Sequence, residues 1–193
     1  EALAGPVPLV FGTCAPAPSG RLWNELRWAQ DGAVKAVARK RVLPSYDVFE
    51  EHRWFEPHPG PSPLVSHRGA LVGLTICEDL WTDPEFGNAP LSYTAQPVAD
   101  LARAGATLLL NASASPGNLG SWVPEGAAPS WSIPSKAAQR KRLLQGLARK
   151  HGLPIAYASR AGAESWLLFD GGTGLVQPRG GWQGMGPFEE GIL

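Results

Sequence analysis

The stretch GLTICEDLW, Gly73–Trp81, decides how this chain is read. With the residues before it, Ala70–Ile76 makes an apolar run, which predicts a central strand buried on both faces. Cys77 stands at the end of that run, and Glu78 and Asp79 follow at once. A thiol at a strand's C-terminal end, at a sharp turn into a polar segment, is where α/β folds present a nucleophile. Backbone N–H groups beyond such a turn favour a thiolate and stabilise an oxyanion. Taken alone, the position also reads as a buried cysteine at a strand end, which is the commoner case. Cys14 takes that buried reading.

Downstream, Val98–Ala104 has the pattern of a helix end that stops at Gly105, and Ala106–Asn111 (ATLLLN) reads as a second apolar strand. Ser135–His151 is the clearest helix, with Ser135 as its cap and Gly152 as its end. Pro154–Ser159 and Ser165–Phe169 read as further strands, followed by a turn at Asp170-Gly171-Gly172. Upstream, Val7–Gly12 reads as a strand, and Leu22–Trp28 with Ala33–Ala38 as a hairpin about Asp31-Gly32. Leu43–Pro63 is a Pro-rich loop. The irregular segment Gly117–Pro134 is read either as a lid over a site or as a surface insertion. This succession predicts a mixed α/β fold with helices packed on sheets.

The bulk numbers narrow the function. A chain of 193 residues fits one sizeable domain. Seventeen basic and seventeen acidic residues cancel, so no electrostatic grip on nucleic acid or an anionic membrane is expected. The basic residues of Lys136–Lys150 read as a solvated helix face. Two cysteines exclude a disulfide scaffold, and neither they nor the four histidines have metal-ligand spacing, so no metal is expected. With no signal peptide or long apolar span visible, a cytoplasmic location is expected.

A second constellation is Lys40-Arg41-Val42-Leu43-Pro44. On its own Lys40 reads as a surface lysine. Beside a thiol, a lysine held by a Pro-stiffened turn would favour the thiolate and stabilise developing negative charge. Together the pieces resemble the carbon–nitrogen hydrolase (nitrilase) superfamily, and within it the glutaminase domains of glutamine-dependent NAD synthetases. Lys40–Phe55, KRVLPSYDVFEEHRWF, resembles that group's lysine motif, and GLTICEDLW its nucleophile motif. Asn111–Pro116 (NASASP), Lys136 with Arg140, and Phe169–Gly172 (FDGG) support these in the same order.

The resemblance implies an α-β-β-α sandwich and a Glu-Lys-Cys catalytic set, carried by residues 1–193 as a single, partial hydrolase domain. Cys77 would be the nucleophile and Lys40 the catalytic lysine. Glu51 would position that lysine, and the Glu78 backbone N–H would join the oxyanion hole. Ser113, Ser115 and Arg140 would hold the head group of glutamine or a similar small amide. No cofactor is implied for the hydrolase domain. ATP and Mg belong to a synthetase domain that would take the ammonia, and homo-oligomers are common in the group.

One family feature has no counterpart here. The general-base glutamate lies well upstream of the lysine in the family, whereas only Glu1 and Glu25 precede Lys40. Glu25 reads as a hairpin residue. The expectation is therefore a domain without the first strand–helix unit, cut at both ends, with no nucleotide-binding Gly-rich loop, and poorly active as it stands. The rival readings are a stand-alone amidase acting on another amide or nitrile, and a catalytically dead nitrilase-fold domain kept for assembly or regulation.

Overall fold

Two prolines, Pro6 and Pro8, cannot donate to a sheet ladder, and pairing starts just after them. Strand β1 therefore runs over Leu9–Pro16, later than the expected Val7–Gly12. It pairs antiparallel with β2 (Leu22–Gln30), which pairs antiparallel with β3 (Ala33–Arg39). The β2–β3 turn has positive φ at both Asp31 (51°) and Gly32 (74°), the two-residue turn that matches strand twist. In this computed structural model residues 5–46, 48–87, 93–117, 136–165, 167–186, 188–189 and 191 are described. The chain divides into two compact units, Glu1–Ala112 and Ser113–Leu193.

In the first unit a second layer follows. Strand β4 (Leu64–His67) pairs antiparallel with β5 (Ala70–Ile76), which pairs in parallel with β6 (Leu108–Ser113). Helix α1 (Pro97–Arg103) makes the crossover between the two parallel strands. It begins with Pro at its first position and ends before Gly105, whose φ is +95°.

Strand β5 is buried on both faces, as its apolar run predicts. Its Val72, Leu74 and Ile76 join Leu26, Trp28 and Ala38 of the first sheet in one core cluster with Val65. On its other face Gly73 meets the helix layer. A Cβ there would lie 2.8 Å from Leu109 and 3.1 Å from Leu101 of α1, so glycine permits the close approach. The unit is thus sheet upon sheet, with a helix beyond the second. Leu74 and Leu109 are wholly buried, each worth roughly 1.5–3 kcal/mol relative to exposure. Cys14 departs from its buried reading: it lies exposed on β1, an edge strand of its sheet. Burial habits of cysteine as a type do not anticipate an edge position.

In the second unit, helix α2 (Lys136–His151) buries Leu143, Leu144 and Leu147 along one stripe, with Arg140 a turn before them. It stops at Gly152, φ +64°. Strand β7 (Ile155–Ser159) pairs with β10 (Gly174–Val176), and β10 with β11 (Trp182–Gly184). A separate hairpin joins β8 (Ala161–Glu164) to β9 (Leu167–Asp170). Gly171 and Gly172 turn the chain at φ 71° and 74°. The cap Ser135 and residues 118–134 of the irregular segment lie outside the described residues. Among the described residues no helix is long and apolar enough to cross a membrane.

Candidate active site

The lysine motif leaves β3 and turns inward. The Lys40 N–H donates to Asn24 O at 2.8 Å, and Lys40 O accepts from the His58 N–H at 3.0 Å. Held on both sides, the residue sends its side chain into the unit, where it is 1% exposed. The surface reading of Lys40 is thereby corrected. Its Nζ lies 2.6 Å from each carboxylate oxygen of Glu51. Glu51 opens the short 3-10 turn Glu51–Arg53 and is 21% exposed. Burial opposes the charge on Lys40. Electrostatic interaction with Cys77, Glu51 and Asp79 outweighs it and holds the pKa above that of an ordinary lysine. This lysine stays an ammonium at neutral pH and serves as an electrostatic partner for negative charge.

Cys77 stands at the carboxyl end of β5, where its φ is +44°. Left-handed backbone at a non-glycine residue is strained and concentrates at functional sites. The chain then makes the 3-10 turn Cys77–Leu80. The buried Glu78 carboxylate accepts the Tyr46 hydroxyl at 2.9 Å and the Tyr93 hydroxyl at 3.0 Å. Burial first, then Glu78, pushes both phenols well above the usual tyrosine range, so both remain donors. Asp79 is wholly enclosed. Its Oδ1 accepts the N–H of Arg41 and of Val42, each at 3.1 Å, and its Oδ2 accepts the Ile76 N–H at 3.0 Å. Burial pushes the Asp79 carboxyl up to about 6, against the pull of those N–H groups and of Lys40. Arg41 reaches Asp100 of α1 at 2.5 Å, fastening the lysine loop to the helix layer.

Lys40, Glu51, Cys77 and Glu78 thus all lie in the first unit. Three of their neighbours are not singled out by sequence reasoning. Tyr46 falls within the lysine motif, Asp79 within the nucleophile motif, and Tyr93 in neither. Glu25 is a hairpin residue, as expected. It is buried on β2 and bound by Arg27 at 2.8 Å and Arg39 at 2.9 Å. Burial raises its pKa, and the two arginines bring it below the ordinary value.

Ser113, Ser115 and Arg140 lie in the second unit. Ser113 ends β6, and its carbonyl accepts the Arg160 N–H at 3.0 Å; Ser115 is buried. Arg140 on α2 is buried, and its Nη2 lies 2.7 Å from both oxygens of Asp170. Its buried Nη1 has no hydrogen-bond partner among the described residues. Burial opposes the guanidinium charge, while Tyr157 and Asp170 restore it and leave the pKa above the usual value. Asp170, in the FDGG turn, is the partner that the sequence does not disclose. Among the described residues no cluster of His, Cys, Asp and Glu could hold a metal ion.

No protein-family model matches the chain. It is 30% identical over 98% of its length to a glutamine-dependent NAD(+) synthetase of Synechocystis sp., and 38% identical over 78% to one of Xylella fastidiosa. It spans about a third of the first and a quarter of the second, 32% and 23% of their lengths. Its structure superposes over 96% of the chain on glutamine-dependent NAD+ synthetase from Acinetobacter baumannii, with TM-score 0.77 at 26% identity and 30% of that chain covered. A nitrilase-superfamily amidase of Nesterenkonia AN1, solved as a cysteine-to-alanine mutant, matches with TM-score 0.74 at 26% identity over 96% of this chain and 59% of its own. With a buried lysine paired to a part-exposed glutamate, a strained cysteine at a strand end, and relatives of this kind in sequence and in fold, the chain belongs to the carbon–nitrogen hydrolase (nitrilase) superfamily.

Proposed function

We propose that this chain is the glutaminase part of a glutamine-dependent NAD synthetase, its two units together serving as one hydrolase domain. The observation that carries the reading is Lys40: a buried ammonium, clamped by Glu51 and electrostatically coupled to Cys77. That arrangement suits thiolate attack on an amide. Sulfur bonds to the side-chain carbonyl carbon, and Lys40 with the Glu78 backbone N–H stabilises the oxyanion. The C–N bond then breaks. The nitrogen leaves as ammonia with the thiol's proton, and water hydrolyses the γ-glutamyl thioester to glutamate and free thiol. No described carboxylate is assigned to carry that proton. The hydrolase chemistry needs no cofactor; ATP and Mg would act in a synthetase domain that takes the ammonia.

Glutamine in particular is supported by features of each unit taken separately. In the first, Glu78 with its paired tyrosine hydroxyls is a buried negative group suited to an α-ammonium. In the second, Ser113, Ser115 and Arg140 keep the substrate-binding role that the resemblance implies; Arg140 pairs its Nη2 with Asp170, and a guanidinium suits a carboxylate. A glutamine-analogue electrophile tests the reading. Peptide mass spectrometry is expected to place one adduct on Cys77, suppressed by glutamine and not by butyramide. No adduct on Cys77 in folded protein overturns the nucleophile. Suppression by butyramide and not by glutamine favours a stand-alone amidase.

A further inference from the structure

Two backbone segments far apart in sequence must hold Lys40 and Cys77 at a fixed separation, and one side chain touches both. The Asp79 carboxylate takes the N–H groups of Arg41 and Val42, the two residues directly after Lys40, on Oδ1. On Oδ2 it takes the N–H of Ile76, the residue directly before Cys77. The last bond is a carboxylate at the third position of a helical turn reaching back to the N–H before it, as in a capping box. The first two span 38 and 37 residues of chain. The residue is 1% exposed, so these backbone amides take the place that water holds around a surface carboxylate.

We propose that Asp79 is the positioning residue that fixes the catalytic lysine against the nucleophile, by stapling the backbone after Lys40 to the backbone before Cys77. It acts through the other two residues and touches no substrate. The proposal rests on the reading of Lys40 and Cys77 given above. A carboxylate is required for chemical reasons. Three N–H donors need acceptors on two separate oxygens. An asparagine of the same shape supplies one oxygen and turns an NH2 group toward one of the donors. Asp79→Asn therefore releases either the lysine loop or the start of the nucleophile turn, while the volume stays filled.

The test reads the coupling through the thiol. Alkylation of Cys77 by iodoacetamide, followed by site-resolved mass spectrometry against pH, reports the thiolate fraction without needing substrate. In Asp79→Asn, folded by circular dichroism, the alkylation midpoint is expected to move up by about one pH unit, a roughly tenfold loss of rate below it. The same substitution in a Lys40→Met background is expected to leave the midpoint where Lys40→Met alone puts it. An unchanged midpoint in folded Asp79→Asn overturns the proposal, as does an equal shift with and without Lys40. If Asp79→Asn does not fold, amide hydrogen exchange of the native protein decides. The N–H groups of Ile76, Arg41 and Val42 are expected to exchange at least about a hundredfold more slowly than free amides, with closely similar rates. Exchange of any one at the free rate overturns the staple. Failure of the glutaminase reading is a separate result: no glutamine-analogue adduct on Cys77, with the iodoacetamide midpoint still dependent on Asp79 and Lys40.

Discussion

Replacing Glu51 with glutamine tests whether the buried lysine depends on its counter-charge. Lys40 is 1% exposed and has both Glu51 oxygens at 2.6 Å. Breaking a fully buried ion pair by removing one partner costs about 3–5 kcal/mol, because the survivor is left charged in a poor solvent. Two features reduce that here. Glu51 is 21% exposed, so solvent already screens the pair, and glutamine keeps one oxygen to accept an ammonium proton. Cys77 and Asp79 also continue to favour the lysine charge. The expected loss is about 2 kcal/mol of unfolding free energy. Urea denaturation of Glu51→Gln against the parent, at constant m-value and neutral pH, measures it. A change smaller than about 0.5 kcal/mol would refute the claim that Glu51 holds a desolvated cation.

Asp170→Ala strands the buried Arg140, and is expected to lower unfolding free energy by about 3–5 kcal/mol, read as a depressed thermal midpoint. Gly73→Ala would place a methyl 2.8 Å from Leu109 and is expected to cost about 1–3 kcal/mol by overpacking, whereas the surface change Ser66→Ala on the neighbouring strand is expected to be neutral within ~0.5 kcal/mol in the same denaturation assay. The Asp79 carboxyl is raised from 3.8 to about 6 on folding, so the folded state holds its proton more tightly than the unfolded chain. Its contribution to stability is full below the unfolded value and is lost as pH rises through about 6, on the order of 3 kcal/mol in all. Denaturation midpoints of the parent are expected to fall across that window relative to those of Asp79→Asn; parallel pH profiles would contradict the shift.

The sequence discloses the site unevenly, for physical reasons. Lys40, Glu51 and Cys77 are singled out only because two local motifs resemble the family's; read alone, Lys40 is a surface lysine and Cys77 a buried thiol. Burial of Lys40 is not legible, since lysine is ordinarily exposed and its desolvation depends on Glu51 and on residues across the unit. The work of Asp79 is hidden because its partners are backbone groups up to 38 residues away, which no side-chain pattern advertises. Strand β5 is legible to its ends because burial on both faces writes an unbroken apolar run. Strands β8, β10 and β11, of three or four residues, are too short for alternation to register. Strand β4, four residues long, is lost in the Pro-rich approach to it for the same reason.

The left-handed backbone at Cys77 has a consequence for how the sequence can drift. At φ +44° an L side chain is disfavoured by roughly 1–2 kcal/mol, and glycine is not. Folding by itself would select glycine at the head of this turn. Any selection for thermal robustness alone would therefore tend to erase the thiol, so a cysteine retained there marks a demand that stability does not make.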